Sequence, residues 1–187
     1  MRIIAGDFRG RRLASVGKGD SAAHLRPTQD RVRESLFNQL TGGRFGNPII
    51  GARVLDLFAG TGALGLEALS RGAATVTFVE NGAKSTALIR ENIDICHAAD
   101  NTKLHRRDAT KLSPNSDAPY DLVFLDPPYA KSMGERALKS AIANDWLAND
   151  ALVIWEESAE ISPPKGLTLL DDRRYGDTVI SILRWAP

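Results

Sequence analysis

The tetrapeptide Asp126-Pro127-Pro128-Tyr129 follows a run of apolar residues and could hold a planar amino group while a carbon is transferred to it. The Asp126 carboxylate and the Pro127 carbonyl offer two acceptors, which match the two N–H bonds of an exocyclic amine. The two prolines fix the backbone, so neither acceptor needs reorganising. Tyr129 adds a flat apolar face on which a purine could stack. A simple turn after a buried strand would also use Asp and Pro, so the tetrapeptide alone leaves both interpretations open.

A second motif, residues 54–65, has the glycine spacing of a nucleotide-binding turn. Gly60, Gly62 and Gly65 fit the pattern Gly-x-Gly-x-x-Gly between a predicted strand and a predicted helix, where a nucleotide can approach the backbone closely. Glu80 lies twenty residues after Gly60, at the end of the next predicted strand, where an acid can accept both hydroxyls of a ribose. A nicotinamide dehydrogenase, or a glycine turn without a ligand, would explain this motif equally well.

Three features favour a sulfonium ligand over a dinucleotide. Asp56 lies four residues before the first glycine, where a negative charge opposes a pyrophosphate but attracts a cation. The predicted helix after the loop has no Lys or Arg before Arg71. Asp126 ends the fourth predicted strand, which in a doubly wound sheet lies beside the first. Methyl donor and acceptor would therefore face each other across one crevice.

The composition is typical of a soluble globular chain with one main core. The chain has 187 residues, 43% of them hydrophobic, and no run that approaches the roughly 20 apolar residues of a membrane span. Charged residues follow Met1 at once, with no apolar stretch of signal-peptide length, so we expect a cytoplasmic protein. The single cysteine, Cys96, excludes an internal disulfide and argues against a structural zinc site. We expect it to be a small buried residue on a helix.

Positive charge is concentrated at the N-terminal end. Residues 1–45 carry nine Lys or Arg against four Asp or Glu, a balance of +5, so the rest of a chain with net charge +1 balances at −4. Eight of these nine cations are arginines, which favours a nucleic-acid-binding extension over a solvated basic face. The candidate phosphate contacts are Arg2, Arg9, Arg11, Arg12, Arg26, Arg31 and Arg33. Arg26 and Arg33 are the expected exceptions, because acids of the adjoining predicted helix, Asp30 or Glu34, could pair with them.

Strand and helix patterns alternate after Gly51 and predict a parallel sheet with helices on both faces. The candidate strands are residues 53–57, 75–80, 103–107, 120–126, 151–155, 167–174 and 178–185. Helical patterns cover residues 63–70 and 84–95. The last two candidate strands are separated by only three residues, which forces an antiparallel hairpin at the sheet edge.

The preceding residues predict smaller elements. Residues 1–13 have a hairpin-like pattern, and residues 15–25 read as a loop rich in Gly, Ser and Ala. A helix is expected from Thr28, with apolar residues at helical spacing. The chain therefore divides into a basic N-terminal extension, residues 1–45, that is expected to bind nucleic acid, and a cofactor-binding domain, residues 46–187.

These motifs resemble those of the S-adenosylmethionine-dependent methyltransferases. Residues 56–62 are similar to their cofactor loop, Glu80 to their ribose-binding acid, and Asp108-Ala109 to the position that contacts adenine. Residues 126–129 are similar to their amino-methylating signature. The cofactor contacts that the resemblance implies are Asp56, Phe58, Ala59, Gly60, Thr61, Gly62, Glu80, Asn81, Asp108 and Ala109. The catalytic residues that it implies are Asp126, Pro127, Pro128 and Tyr129.

A narrower resemblance covers nearly the whole chain. The segments Arg2-Ile-Ile-Ala-Gly, Gly10-Arg-Arg-Leu, Leu25-Arg-Pro-Thr-x-Asp-Arg-Val-Arg-Glu-Ser-Leu-Phe-Asn38 and Tyr175-Gly-Asp-Thr178 resemble the RsmD family of 16S ribosomal RNA guanine-N2 methyltransferases. The resemblance implies a Rossmann-like α/β fold, with seven mostly parallel strands, an antiparallel last strand and an RNA-contacting extension. It also implies methylation of a specific guanine 2-amino group in 16S ribosomal RNA, on free RNA or on a small-subunit particle.

Other functions would use part of the same residues. A DNA adenine amino methyltransferase could use residues 126–129, although such enzymes usually need a sizeable target-recognition region. A catalytically silent RNA-binding assembly factor could keep the fold, although it has no evident need for Asp56, Glu80 and Asp126 together. A nicotinamide oxidoreductase is the third alternative. An enzyme with its own RNA-binding arm has no obvious need of a partner subunit, so we expect a monomer.

Overall fold

The computed structural model describes residues 1–15, 30–128 and 132–187, and within them seven strands form one sheet. The strands are β1 Arg53–Leu57, β2 Thr75–Glu80, β3 Thr102–Arg106, β4 Tyr120–Leu125, β5 Leu147–Glu157, β6 Leu167–Tyr175 and β7 Thr178–Trp185. The helices are α1 Asp30–Thr41, α2 Ala63–Ser70, α3 Ala83–Cys96 and α4 Met133–Ala143. None of these helices is long and apolar enough to cross a membrane.

The strand order confirms the predicted architecture. It runs β3-β2-β1-β4-β5-β7-β6, and β1 therefore lies between β2 and β4. Neighbouring strands are parallel from β3 through β5, whereas β7 is inserted antiparallel to both β5 and β6. The carboxyl ends of β1, β2, β3, β4 and β5 consequently meet at one edge of the sheet, where ligands bind in open α/β sheets.

One strand is longer than the sequence predicts. β5 was expected at residues 151–155 but begins at Leu147 and ends at Glu157. Its first part contains Asn149 and Asp150, residue types that disfavour strands. Pairing with β4 overrides that preference, since Leu147 lies opposite Tyr120 and the register shifts before the regular pairs begin.

Two apolar layers cover the two faces of the sheet. On one face α1, α2 and α3 pack over side chains such as Val54, Phe78 and Phe124. On the other face α4 packs over the alternate residues, which include Leu55 and Val123. This burial of both faces explains why the central strands are continuously apolar. Cys96 is buried at the end of α3, as predicted.

The first 13 residues form the expected hairpin-like element. Ile3 N–H donates to the Arg11 carbonyl at 3.0 Å, and Arg2 forms an antiparallel bridge with Arg12. The turn rests on the end of α2, where only a glycine fits. A Cβ on Gly6 would lie 1.7 Å from the Ser70 carbonyl oxygen, and φ there is +80°.

Side chains of α2 hold this element in place. The buried Glu67 carboxylate accepts N–H bonds from Ile4 at 2.8 Å and from Ala5 at 3.1 Å. The Ser70 hydroxyl accepts the Phe8 N–H at 2.9 Å. These bonds satisfy backbone groups that lie outside regular structure, so the N-terminal hairpin is fixed to α2. The predicted helix start at Thr28 and residues 16–25 of the predicted loop lie outside the described residues.

Candidate active site

The glycine loop turns sharply at the carboxyl end of β1. Phe58, Gly60 and Gly62 have φ values of 59°, 58° and 77°. A positive φ is uncommon for a residue as bulky as Phe, and backbone strain of this kind clusters at functional sites. Ala59 N–H donates to the Val79 carbonyl at 3.2 Å, which ties the loop to β2.

Close packing of α2 on the sheet fixes the end of this loop. A Cβ on Gly65 would lie 2.5 Å from Phe78 Cε1 and 2.6 Å from Val76 Cγ1, so only glycine allows the approach. Asp56 is 2% exposed, and its Oδ2 accepts the Gly65 N–H at 3.0 Å. The strand, glycine turn and helix that the sequence predicts are therefore all present.

Glu80 is held beside the loop at the end of β2. Its Oε2 accepts the Gly60 N–H at 2.9 Å, and its Oε1 accepts the Gly82 N–H at 2.7 Å. Each carboxylate oxygen has a further lone pair with which it can accept a hydroxyl. The neighbouring Asn81 is exposed at the same edge.

Asp108 occupies the corresponding position after β3. It begins a short 3-10 turn, Ala109–Lys111, and accepts bonds from Thr110 N–H at 2.9 Å and Thr110 Oγ1 at 2.8 Å. Burial alone would raise the pKa of this carboxyl, but the two bonds from Thr110 and the nearby charges of Lys111 and Arg136 together lower the pKa. Ala109 is buried beneath the turn.

The tetrapeptide at residues 126–129 begins directly after β4, next to the glycine loop. β4 pairs with β1, and Asp126 N–H donates to the Leu57 carbonyl at 3.4 Å. Pro127 is buried and Pro128 is exposed, while Tyr129 lies outside the described residues. The predicted juxtaposition of the two motifs across β1 and β4 is thus present.

A buried tryptophan positions the helix that follows. A Cβ on Gly134 would lie 2.3 Å from Trp155 Cζ2, so the first turn of α4 rests directly on the indole. Trp155 in turn lies opposite Leu125 in the β4–β5 register. The backbone around the tetrapeptide is therefore supported from below by β5 and α4.

Five carboxyl groups meet at this edge of the sheet: Asp56, Glu80, Asp126, Glu156 and Glu157. Burial, with the nearby charge of Glu80, raises the pKa of Asp56 to about 8. Burial also raises the pKa of the half-buried Asp126 well above its ordinary value. The negative charges of neighbouring carboxylates raise this pKa further, and Glu156 contributes the most among them. A further negative charge at this edge of the sheet is therefore unfavourable, whereas a bound cation would stabilise the ionised carboxylates. Glu156 and Glu157 were not predicted as residues of this site. Their position at the end of a parallel strand could have identified them.

Asn92 joins the glycine loop to the N-terminal hairpin. Its Nδ2 donates to the Thr61 carbonyl at 2.9 Å and to the Ala14 carbonyl at 3.2 Å. Its Oδ1 accepts the Ala14 N–H at 2.7 Å. The hairpin therefore ends beside the loop at which the cofactor is expected.

Most of the described candidate RNA contacts are exposed. The exposed arginines are Arg2, Arg9, Arg12 and Arg31. Arg11 is half-buried, and its Nη1 donates to the Ile95 carbonyl at 2.9 Å at the end of α3. Arg26 lies outside the described residues. The exposed arginines remain candidates for phosphate binding.

Arg33 differs from the other arginines, because its side chain is fully buried. Its Nη2 donates to Asp30 Oδ1 at 2.9 Å and to the Arg2 carbonyl, and its Nε lies 3.9 Å from Glu67 Oε2. Glu67 also accepts the Arg71 Nε–H at 2.7 Å. Arg33 cannot reach a phosphate from this position, and the structural pairing with Asp30 named as an exception is confirmed.

Known proteins resemble this chain along almost all of its length. The family model described as conserved hypothetical protein 95 matches residues 1–184. The ribosomal RNA small subunit methyltransferase D of Escherichia coli is 39% identical over 164 residues, which cover 88% of this chain and 78% of that protein. The protein of the same name from Haemophilus influenzae is 36% identical over 182 residues, covering 94% and 89%. The solved structure of yhhF from Escherichia coli has a TM-score of 0.82 at 34% identity and covers 100% of this chain and 98% of that one.

Proposed function

This chain belongs to the ribosomal RNA small subunit methyltransferase D family, and we propose that it methylates the 2-amino group of a guanine in 16S ribosomal RNA with S-adenosylmethionine. One observation carries the chemistry. The glycine loop after β1 and the Asp126-Pro127 acceptors after β4 lie side by side, since Asp126 N–H reaches the Leu57 carbonyl at 3.4 Å. The names of the relatives support ribosomal RNA as the substrate class.

The residues at the sheet edge fit S-adenosylmethionine. When bound, this cofactor supplies a methyl group attached to a positively charged sulfur. Glu80 presents two carboxylate oxygens, each already oriented by a backbone N–H, to ribose hydroxyls. Gly60 and Gly62 leave the backbone of the loop uncovered by side chains, and Asp108 and Asn81 lie where an adenine ring would follow the ribose. The surrounding carboxyl groups favour a cationic ligand.

Asp126 and Pro127 would orient the amine. The Pro127 carbonyl accepts one N–H bond, and a carboxyl oxygen of Asp126 accepts the other in either protonation state. Holding two reactants in attack geometry can contribute roughly 7–11 kcal/mol to the reduction of the barrier. After the nitrogen has accepted the methyl group, it would release its proton to the Asp126 carboxylate or to water. Tyr129 would stack on the base.

A transfer assay with tritiated methyl groups tests this function. It offers naked 16S ribosomal RNA, small-subunit particles and adenine-containing duplex DNA to the wild-type enzyme and to Asp126→Ala. We expect N2-methylguanosine in digested RNA, and a loss of at least about 100-fold in the variant because orientation is removed. Affinity for the cofactor should change only a few fold.

Each remaining outcome points to another function. Detection of methyladenine in the DNA would identify the chain as a DNA adenine methyltransferase. Absence of transfer to every substrate would favour an RNA-binding assembly factor without catalytic activity. Asp94→Ala is the matched control, since Asp94 is an exposed carboxyl on α3 and should leave transfer unchanged. Full activity of Asp126→Ala would contradict the proposed role of Asp126.

The proposal extends to the form and place of the reaction. We propose a small-subunit particle as the preferred substrate, which the small subunit in the names of the relatives supports. Ribosomal RNA in the bacteria that provide the relatives lies in the cytoplasm, which supports a cytoplasmic enzyme. We also propose that it acts as a monomer, and light scattering after size-exclusion chromatography would measure this.

A further inference from the structure

A polar groove of about 590 Å³ lies between α1 and the edge strand β6. Its charged lining residues are Arg31, Glu34, Arg44 and Arg173, and the amides of Asn38 and Gln39 lie between them, so cations outnumber anions in the lining. The transfer chemistry uses none of these side chains, and Arg44 and Arg173 were not among the predicted RNA contacts. The groove therefore needs its own explanation.

The groove opens toward the active-site edge. β6 is antiparallel to β7, which is antiparallel to β5, so Tyr175 ends β6 at the same edge as Asp126. The Ser35 hydroxyl lies 2.9 Å from the Tyr175 hydroxyl, which places the N-terminal end of α1, with Arg31, at that edge. β4 and β6 are three strand spacings apart, about 14 Å.

Asp171 orients two arginines within the groove. Arg44 Nη1 lies 3.1 Å from Asp171 Oδ1, and Arg173 Nε lies 3.3 Å from Asp171 Oδ2. Gln39 also donates to Asp171, and Arg44 Nη2 donates to the Leu170 carbonyl at 3.0 Å. Both guanidinium groups are held in place by these bonds before any ligand arrives.

The two arginines keep donors for a ligand. Their side chains are 56% and 50% exposed, whereas Asp171 is 18% exposed. A guanidinium has five N–H donors, and the described contacts of Arg44 and Arg173 leave several donors of each unused. Two guanidinium groups share the single negative charge of Asp171, so this cluster keeps a net positive charge. Planar forks with spare donors and excess positive charge suit a phosphate, to which they can bind bidentately.

We infer that this groove binds the phosphate backbone of the substrate RNA close to the methylated nucleotide. The inference rests on the proposed function, because the target base at Asp126 brings the RNA strand to this edge. A backbone that continues over β5 and β7 crosses three strand spacings, about 14 Å, to the end of β6, where Arg31 and Arg173 mark the near end of the groove. The amides of Asn38 and Gln39 add donors and acceptors for phosphate and ribose.

RNA binding by the double variant Arg44→Gln/Arg173→Gln tests the groove. Fluorescence anisotropy of the labelled protein, titrated with naked 16S ribosomal RNA and separately with small-subunit particles, measures Kd at several salt concentrations. Each lost phosphate contact should reduce the salt slope by about 0.7 to 0.9, which corresponds to about 5- to 8-fold in Kd at 0.1 M salt. We expect a loss of about 25- to 60-fold for the double variant, with cofactor affinity within twofold of the wild type.

Two further variants separate binding from folding. Arg184→Gln is the matched control, since Arg184 is exposed near the end of β7 at the opposite edge of the sheet and should leave RNA affinity unchanged. Arg44→Lys/Arg173→Lys keeps both charges but loses the forks, so it should recover the salt slope and only part of the affinity. If the Gln double variant is less stable than the wild type, the Lys double variant still tests whether the two side chains contact phosphate.

Several outcomes would overturn the inference. An unchanged Kd and salt slope in the Gln double variant would show that RNA does not occupy the groove. A loss confined to small-subunit particles, with normal binding of naked RNA, would assign the groove to a protein contact instead. Because this experiment measures binding, its failure is distinct from a failure of methyl transfer in the wild-type enzyme.

Discussion

Binding of S-adenosylmethionine should strengthen as the pH rises from 6.5 to 8. Burial raises the pKa of Asp56 to about 8, so in the free protein this carboxyl keeps its proton until the pH passes that value. The ionised fraction rises from about one eleventh at pH 7 to about one half at pH 8. Because a cation binds the ionised form, Kd should fall about fivefold over this unit. The raised pKa of Asp126 acts in the same direction.

Isothermal titration calorimetry in two buffers of different ionisation enthalpy measures this coupling. We expect close to one proton released per cofactor bound at pH 7, because Asp56 ionises as the site fills. S-adenosylhomocysteine has a neutral sulfur and should show a flatter pH dependence. Asp56→Asn keeps an acceptor for the Gly65 N–H but cannot titrate, so it should flatten the dependence for S-adenosylmethionine.

The reasoning fails if Kd for S-adenosylmethionine stays constant between pH 6.5 and 8. An equal pH dependence for the two ligands would also refute it, since the charge on sulfur would then have no part in the effect. Circular dichroism at each pH excludes unfolding as the source of any change.

Two substitutions test the packing that positions the site. Glu67→Gln removes the buried carboxylate that faces Arg33 and pairs with Arg71, and leaves Arg33 with Asp30 alone, so we expect a loss of about 3–5 kcal/mol in the free energy of unfolding and a melting temperature lower by about 6–20 °C. Calorimetry measures the shift, exposed Glu91→Gln is the control, and a change under about 2 °C would contradict the prediction. Gly65→Ala places a Cβ 2.5 Å from Phe78, which should cost about 1–3 kcal/mol and weaken cofactor binding. Wild-type stability and cofactor affinity in this variant would show that α2 can shift without effect.

The sheet was predictable because its strands are apolar runs between turn residues. β1, β2 and β7 begin and end where the sequence predicts, and the two-residue link before Thr178 produces the expected hairpin. α4 was not predicted. Its buried residues are Gly134, Ala137, Leu138 and Ala141, so only one large apolar side chain marks the face that packs on the sheet.

The site was predictable as far as local motifs define it. The glycine loop and Glu80 follow from spacing and strand position. The spacing of Asp30 and Arg33 identified Arg33 as a structural exception among the arginines, but its full burial could not be predicted, because it also depends on Glu67, which comes from a different helix. The groove between α1 and β6 depends equally on contacts distant in the chain, since Arg44 meets Asp171 only in the folded protein.

The attachment of the N-terminal hairpin has a consequence for protein engineering. Glu67, Ser70 and Asn92 supply the acceptors for backbone N–H groups of this segment, and all three belong to the catalytic domain. A chimera that carries residues 1–15 on another methyltransferase would leave those N–H groups unsatisfied unless the three side chains were grafted with it. Asn92 also donates to the Thr61 carbonyl, so such a graft must preserve the glycine loop. The N-terminal hairpin is thus coupled to the domain that carries the glycine loop, and the two cannot be exchanged separately.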